Sequence, residues 1–334
     1  MRGTIRGLTV AAGLLGSVAW SEALAEEIPR SALGPRTVGY TYEVTVTVPP
    51  GAKLAEVAVP LPREDDQTVL ALDLAGPGSV SVRQLPGGDR MALWRVEGPG
   101  ESVVVRQTGK VARREVHADT AHADGVVIDP AVFASALAAS PSVQINDEVR
   151  AIAQRETAGK DGVVARAHAL YDWVYEHMNY DKSVQGWGLG DVPYCLKFGK
   201  GNCTDFHTLF IALARANGIP ARWSIGFPLA YGDGTAQQED PVPVSGYHCW
   251  AEFFAPGTGW VPVDISEARR HPELHGYFFG ALSGNRILFS RLRDASLALG
   301  DGDRARNYFI YPVARVDGVE MSDGVAWRFT YQER

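Results

Sequence analysis

Cysteine is scarce: three residues in 334 are too few for a disulfide framework, and the odd count leaves at least one thiol unpaired within the chain. Cationic excess is also missing. Lys and Arg number 32 against 39 Asp and Glu, a net charge of −7, which argues against a nucleic-acid or anionic-membrane partner. After Trp20 no stretch approaches the run of about eighteen apolar residues that a membrane-spanning helix needs. No internal repeat is visible, and the 36 Gly and 20 Pro follow no period, which excludes collagen-like and low-complexity sequence. Neither C-x-x-C nor H-E-x-x-H occurs, so no metal and no cofactor is expected. What remains is a chain 46% hydrophobic, too apolar for disorder and long enough for two domains.

Residues 1–25 have the pattern of a signal peptide. Arg2 and Arg6 form a basic start, Leu8 to Trp20 is mostly apolar, and Ala23-Leu24-Ala25 gives a small-x-small cleavage site before Glu26. The expected product is exported, periplasmic or secreted. Loss of Arg2, Arg6 and Glu22 takes its net charge to −8 and leaves no integral membrane span. From Gly39 to Val48 the sequence GYTYEVTVTV alternates as a half-buried strand does. Five more β-like runs follow, punctuated by Gly-Pro and Gly-Gly pairs, and predict a β-sandwich over residues 36–115. Residues 116–145, with Pro130 and Pro141, read as a linker, and 146–334 as a mixed helix and sheet domain. Asn146 can cap a helix through Glu156, and a second apolar stripe runs from Asp161 to about Asn179. The Gly- and aromatic-rich stretch Met178–Lys200 reads as an ordered loop.

Cys203 opens the next helix. Phe206, Leu209, Phe210, Leu213 and Ala214 follow at i, i+3, i+4, i+7 and i+8, and Gly218 and Pro220 end it. A thiol at a helix N-terminus is acidified by the free N–H groups and the dipole, and those N–H groups can also hold an oxyanion. A thiolate nucleophile needs an imidazole. Tyr247–Phe254 and Trp260–Ile265 are β-like runs joined by five residues. If Phe254 faces Trp260, Trp250 faces Asp264 and His248 becomes its diagonal neighbour on the same face, about 7–8 Å away at the backbone. A one-residue slip would separate them. The order Cys, His, Asp then supplies nucleophile, base and orienting carboxylate.

These residues resemble a known family. Gly-Asn-Cys203-Thr-Asp-Phe, the helix that follows, Tyr-His248-Cys-Trp-Ala-Glu and Gly-Trp-Val-Pro-Val-Asp264 are similar to the transglutaminase-like superfamily of papain-type thiol enzymes over about residues 146–270. The resemblance implies an α+β fold, a papain-like core with the nucleophile helix on an antiparallel sheet, beside the N-terminal β-sandwich. It implies Cys203 as nucleophile, His248 as base and acid, and Asp264 as the group that holds the imidazole. Trp187 and Tyr180 are candidate oxyanion donors, since the family often uses an aromatic donor there.

The chemistry expected is acyl transfer through a thioester, most simply hydrolysis of a peptide or amide bond in a protein, peptide or small amide. The alternatives are a protein-glutamine amine transferase and a non-catalytic binding protein of the same fold. His207, one turn after Cys203, reads as a surface or core histidine, Asp205 as a first-turn carboxylate, and Glu252 as a cleft or surface carboxylate. Strand alternation turns Cys249 toward a core, away from Cys203. Cys195, in the loop, could bridge to Cys203 in an oxidising compartment.

Overall fold

The computed structural model describes residues 27–121, 123, 129–232 and 240–333. The expected signal peptide, residues 1–25, lies outside the described residues. The principal elements open with β1 (Arg36–Thr47), β2 (Leu54–Pro60), β3 (Gln67–Ala75), β4 (Ser79–Gln84), β5 (Arg90–Glu97) and β6 (Ser102–Arg113). Helices follow: α1 (Asp147–Glu156), α2 (Val163–His177), α3 (Val192–Phe198) and α4 (Cys203–Ala216). Next come β7 (Ala221–Pro228), β8 (Val242–Val244), β9 (His248–Ala255), β10 (Gly259–Val263), α5 (Ile265–Arg270) and β11 (Arg286–Ser290). The last are β12 (Val313–Val316), β13 (Val319–Glu320) and β14 (Val325–Glu333).

Alternation along β1 buries Val38, Tyr40, Tyr42, Val44 and Val46, as a strand with one face on a core requires. Two antiparallel sheets make the sandwich, in the orders β8-β14-β1-β6-β3 and β13-β12-β2-β5-β4. Their inward residues, among them Tyr42, Val44, Val57 and Trp94, belong to one hydrophobic cluster. The predicted division into 36–115 and 146–334 is therefore corrected at its C-terminal end. β14 pairs with β1, setting Tyr42 opposite Phe329, and β12 pairs with β2, setting Val57 opposite Ala314. The physical reason is that β1 and β2 each need a neighbour on both edges, and local sequence does not say which distant strand supplies it. The expected linker is also partly ordered, with Val116–His117 paired to Ala281–Leu282 and one helical turn at Ala134–Leu137.

The third sheet, in the order β10-β9-β7-β11, carries the α+β region. Phe254 lies opposite Trp260, the register that the loop length predicts. α4 packs on this sheet and is buried at every residue from Cys203 to Ala214. Its spacing suggested a single buried face. The other faces are covered too, because α1, α2, α3 and α5 all pack against it.

Sandwich and core share their packing. Phe227 of β7 stacks on Phe329 of β14 with centroids 3.9 Å apart, and meets Tyr42 of β1 and Phe289 of β11 edge-on at 5.3 Å. The buried Gln67 side chain donates to the Leu288 carbonyl (2.8 Å) and accepts from the Leu288 N–H (3.0 Å), so β3 is tied to β11. Replacing Phe329 with Ala removes a ring common to both parts. It should cost about 3–5 kcal/mol and lower stability in a single urea transition monitored by far-UV dichroism and tryptophan fluorescence alike.

Candidate active site

Asn202 caps α4: its Oδ1 accepts from the Thr204 N–H (2.9 Å), while Asp205 Oδ2 accepts from the Asn202 N–H (2.9 Å), a reciprocal capping box. Asp205 also accepts from the N–H groups of Gly188 (2.6 Å) and Gly190 (3.0 Å). It therefore does more than complement the dipole: it straps the preceding loop over the helix N-terminus. Gly190 has φ +65°, and a Cβ there would lie 2.5 Å from Thr208 Oγ1, so this return requires glycine.

Met178–Lys200 is not wholly a loop. Asp191 caps α3 by accepting from the Tyr194 N–H (2.8 Å), which turns Cys195 inward on a helix. Cys195 Sγ lies 3.6 Å from the Asp205 carbonyl oxygen, and burial pushes its thiol up. All three cysteines are free, and no Cys195–Cys203 bridge is formed.

His248 is the first residue of β9, and Asp264 follows β10 directly and caps α5. With the hairpin in register, His248 Nε2 donates to Asp264 Oδ2 at 2.7 Å, which leaves Nδ1 for the Cys203 sulfur. Asp264 is fully buried and accepts three further hydrogen bonds, from Arg286 Nη1 (2.6 Å), the Glu267 N–H (3.1 Å) and Ser266 Oγ (3.2 Å). Arg286, on β11, belongs to no motif, and the sequence did not point to it. Glu252 is neither a cleft nor a surface carboxylate. It is buried and accepts from Ser224 Oγ (2.7 Å), Arg222 Nε (2.7 Å) and Arg291 Nη2 (3.0 Å).

Burial alone would hold the Cys203 thiol protonated, yet donors from Cys249 and His248 bring it down to about 6. His248 behaves conversely: burial disfavours its charge, and the Asp264 carboxylate followed by Cys203 lifts it to about 10. Despite its burial, Asp264 is held well below the usual carboxylate range by His248 and Arg286. Cys249 does face the core, as alternation predicts, but it also touches Cys203. The α4 N-terminus lies at the start of β9, where Cys203 meets both neighbours although their side chains alternate. His207 is the core histidine. Burial lowers it to about 4, so it is neutral, and its Nε2 accepts from the Ile265 N–H (3.1 Å). The proton therefore sits on Nδ1, 3.8 Å from Cys249 Sγ.

A cleft of about 410 Å³ leads to His248, with Tyr180, Lys182, Tyr231, Tyr247, Arg270 and Arg286 in its walls. Tyr180 stands near Cys203, and burial with the thiolate charge keeps its hydroxyl protonated. Trp187 does not line this cleft; its ring lies 5.0 Å from Lys182 Nζ. Among the described residues no group of three or more His, Cys, Asp or Glu is placed to hold a metal, and no helix is long and apolar enough to cross a membrane.

Residues 150–265 match the sequence model of the transglutaminase-like superfamily. This segment is similar to a transglutaminase-like core. The whole fold is similar to that of a candidate cysteine protease from Cytophaga hutchinsonii, with a TM-score of 0.56 and 17% identity, covering 89% of this chain and 98% of that one. The periplasmic domain of TgpA from Pseudomonas aeruginosa gives a TM-score of 0.38 at 19% identity, over 73% of this chain and 91% of that one. An uncharacterized protein of Haemophilus influenzae is 31% identical over 221 residues. The match takes in 58% of this chain and spans 60% of the length of that curated relative.

Alkylation of Cys203 by iodoacetamide should rise with pH near about 6, below the value of about 8.5 for a free thiol. His248→Gln removes the imidazolium and should move that midpoint upward; mass spectrometry of the Cys203 peptide reads both. Arg286→Met leaves the buried Asp264 charge one partner short and should cost about 3–5 kcal/mol in urea denaturation.

Proposed function

We propose that this chain is an exported cysteine-dependent acyl-transfer enzyme that hydrolyses a peptide or amide bond. The observation that carries the reading is the buried line from Cys203 through His248 to Asp264, with His248 Nε2 2.7 Å from Asp264 Oδ2 and Cys203 lowered to about 6. In this reading the Cys203 thiolate attacks the amide carbonyl. The resulting oxyanion takes hydrogen bonds from the Cys203 N–H, which has no acceptor within the helix, and from the Tyr180 hydroxyl. Between the two aromatic candidates the cleft favours Tyr180 over Trp187. The His248 imidazolium protonates the leaving amine as the C–N bond breaks and a thioester forms. Neutral His248 then takes a proton from water as the hydroxide adds to the thioester, and collapse expels the Cys203 thiolate and the carboxylic acid while His248 keeps its proton, restoring the ion pair. Asp264 holds the ring through Nε2 and stabilises its cation in both halves.

Water is the acceptor in this reading. Cys203→Ala should abolish turnover of a peptide library. Asp264→Asn should reduce it roughly 10²–10⁴-fold and leave binding largely intact. The pH profile of kcat/KM should rise near about 6 and fall near about 10, values that belong to the coupled pair. Covalent incorporation of a fluorescent amine into a glutamine-rich protein would assign the chain to the transferases, and unchanged turnover in Cys203→Ala would end the proposal.

A further inference from the structure

The walls of the cleft carry a charge opposite to that of the chain. The protein as a whole has a net charge of −7, yet Lys182, Arg270 and Arg286 line the approach to His248, against a single wall carboxylate, Glu267. Arg286 is committed to Asp264 (2.6 Å), and Glu267 is bonded to Arg270 Nη1 (2.8 Å) and to the Tyr231 hydroxyl (2.5 Å). Lys182 has no carboxylate partner among the described residues. Instead its ammonium stands 5.7 Å from the Tyr180 ring centroid and 5.0 Å from that of Trp187. The Arg270 guanidinium lies 5.5 Å from the same Tyr180 ring. Two cations thus flank one aromatic plate beside the nucleophile. Aromatic contact holds Lys182 in place without neutralising it, so its charge stays available to a ligand, whereas Arg270 shares its charge with Glu267.

We propose that the substrate presents a carboxylate next to the amide that Cys203 attacks, and that Lys182 and Arg270 receive it over Tyr180. The substrate class is an acidic peptide, its carboxylate coming from an Asp or Glu side chain or from a free C-terminus. This deepens the proposed function and rests on the reactivity of Cys203. The positive cleft on a negative surface also concentrates such anions and repels cationic peptides.

The test compares alkylation of Cys203 by anionic iodoacetate and neutral iodoacetamide. The ratio of the two rates cancels a general change in thiolate reactivity. Lys182→Gln should lower the iodoacetate-to-iodoacetamide ratio about two- to fivefold, the size of an exposed ion pair. Arg270→Gln, which also uncovers Glu267, should lower it further. High salt should shrink both effects. A ratio unchanged in both variants would overturn the subsite while leaving the nucleophile in place, whereas a Cys203 inert to both reagents in the unaltered protein would overturn the nucleophile and the subsite together. Turnover of matched peptides then separates the two sources. Preference for Glu over Gln in C-terminally amidated peptides assigns a side-chain carboxylate, preference for the free over the amidated terminus assigns an α-carboxylate, and equal turnover of all forms rejects the proposal.

Discussion

A carboxylate with no exposed surface governs this molecule. Asp264 lies where β10 gives way to α5, and its two oxygens take hydrogen bonds from an imidazole, a guanidinium, a hydroxyl and a backbone N–H. Moving an ion of this size out of water costs several kcal/mol even after relaxation, so the site is tolerable only because every lone pair is used. That requirement fixes much else. Arg286 must stand on the far strand of the sheet, the β9–β10 hairpin must keep its register, and α5 must begin at once so that its first turn supplies donors. Electrostatic consequences spread outward: the carboxylate charges His248, and charged His248 with Cys249 holds Cys203 as a thiolate in a place where burial alone would protonate it.

The N-terminus of α4 is held just as firmly from the other side. Asp205 closes the cap and gathers the loop through Gly188 and Gly190, and Tyr247, the residue before His248, bonds through its hydroxyl to Thr204 Oγ1 (2.6 Å). The helix terminus, the loop and the start of β9 therefore move as one body. Rigid support of this kind is what a site needs when reacting atoms must meet within fractions of an ångström.

Much of this was legible in sequence because the signals were local. The Cys203 helix, its Gly218 stop, and the five-residue loop that puts Phe254 opposite Trp260 are short-range patterns, and together they bring His248 to Asp264. What stayed hidden depended on distant partners. Arg286 pairs with Asp264 across 22 residues without a motif. Glu252 shares its strand with His248 yet is buried in a clamp of arginines. Cys249 obeys alternation and still meets Cys203, because which element covers a strand face is a tertiary matter. The domain boundary failed for the same reason, since nothing local in Val313–Val316 or Val325–Glu333 says that these strands belong beside residues near the other end.

That last pairing bears on how the chain acquires its structure. Val38 lies opposite Glu333, a separation of about 295 residues in sequence, and the same sheet contributes Phe329 to the aromatic cluster that holds β7. Contacts this distant close late and slowly, because the entropy of the intervening loop must be overcome before they give anything back. β1 keeps one edge unpaired until residues 325–333 reach it. The sandwich is therefore complete only when residues from both sides of the α+β region have met, and the two ends of the chain share its sheets rather than standing as separate beads.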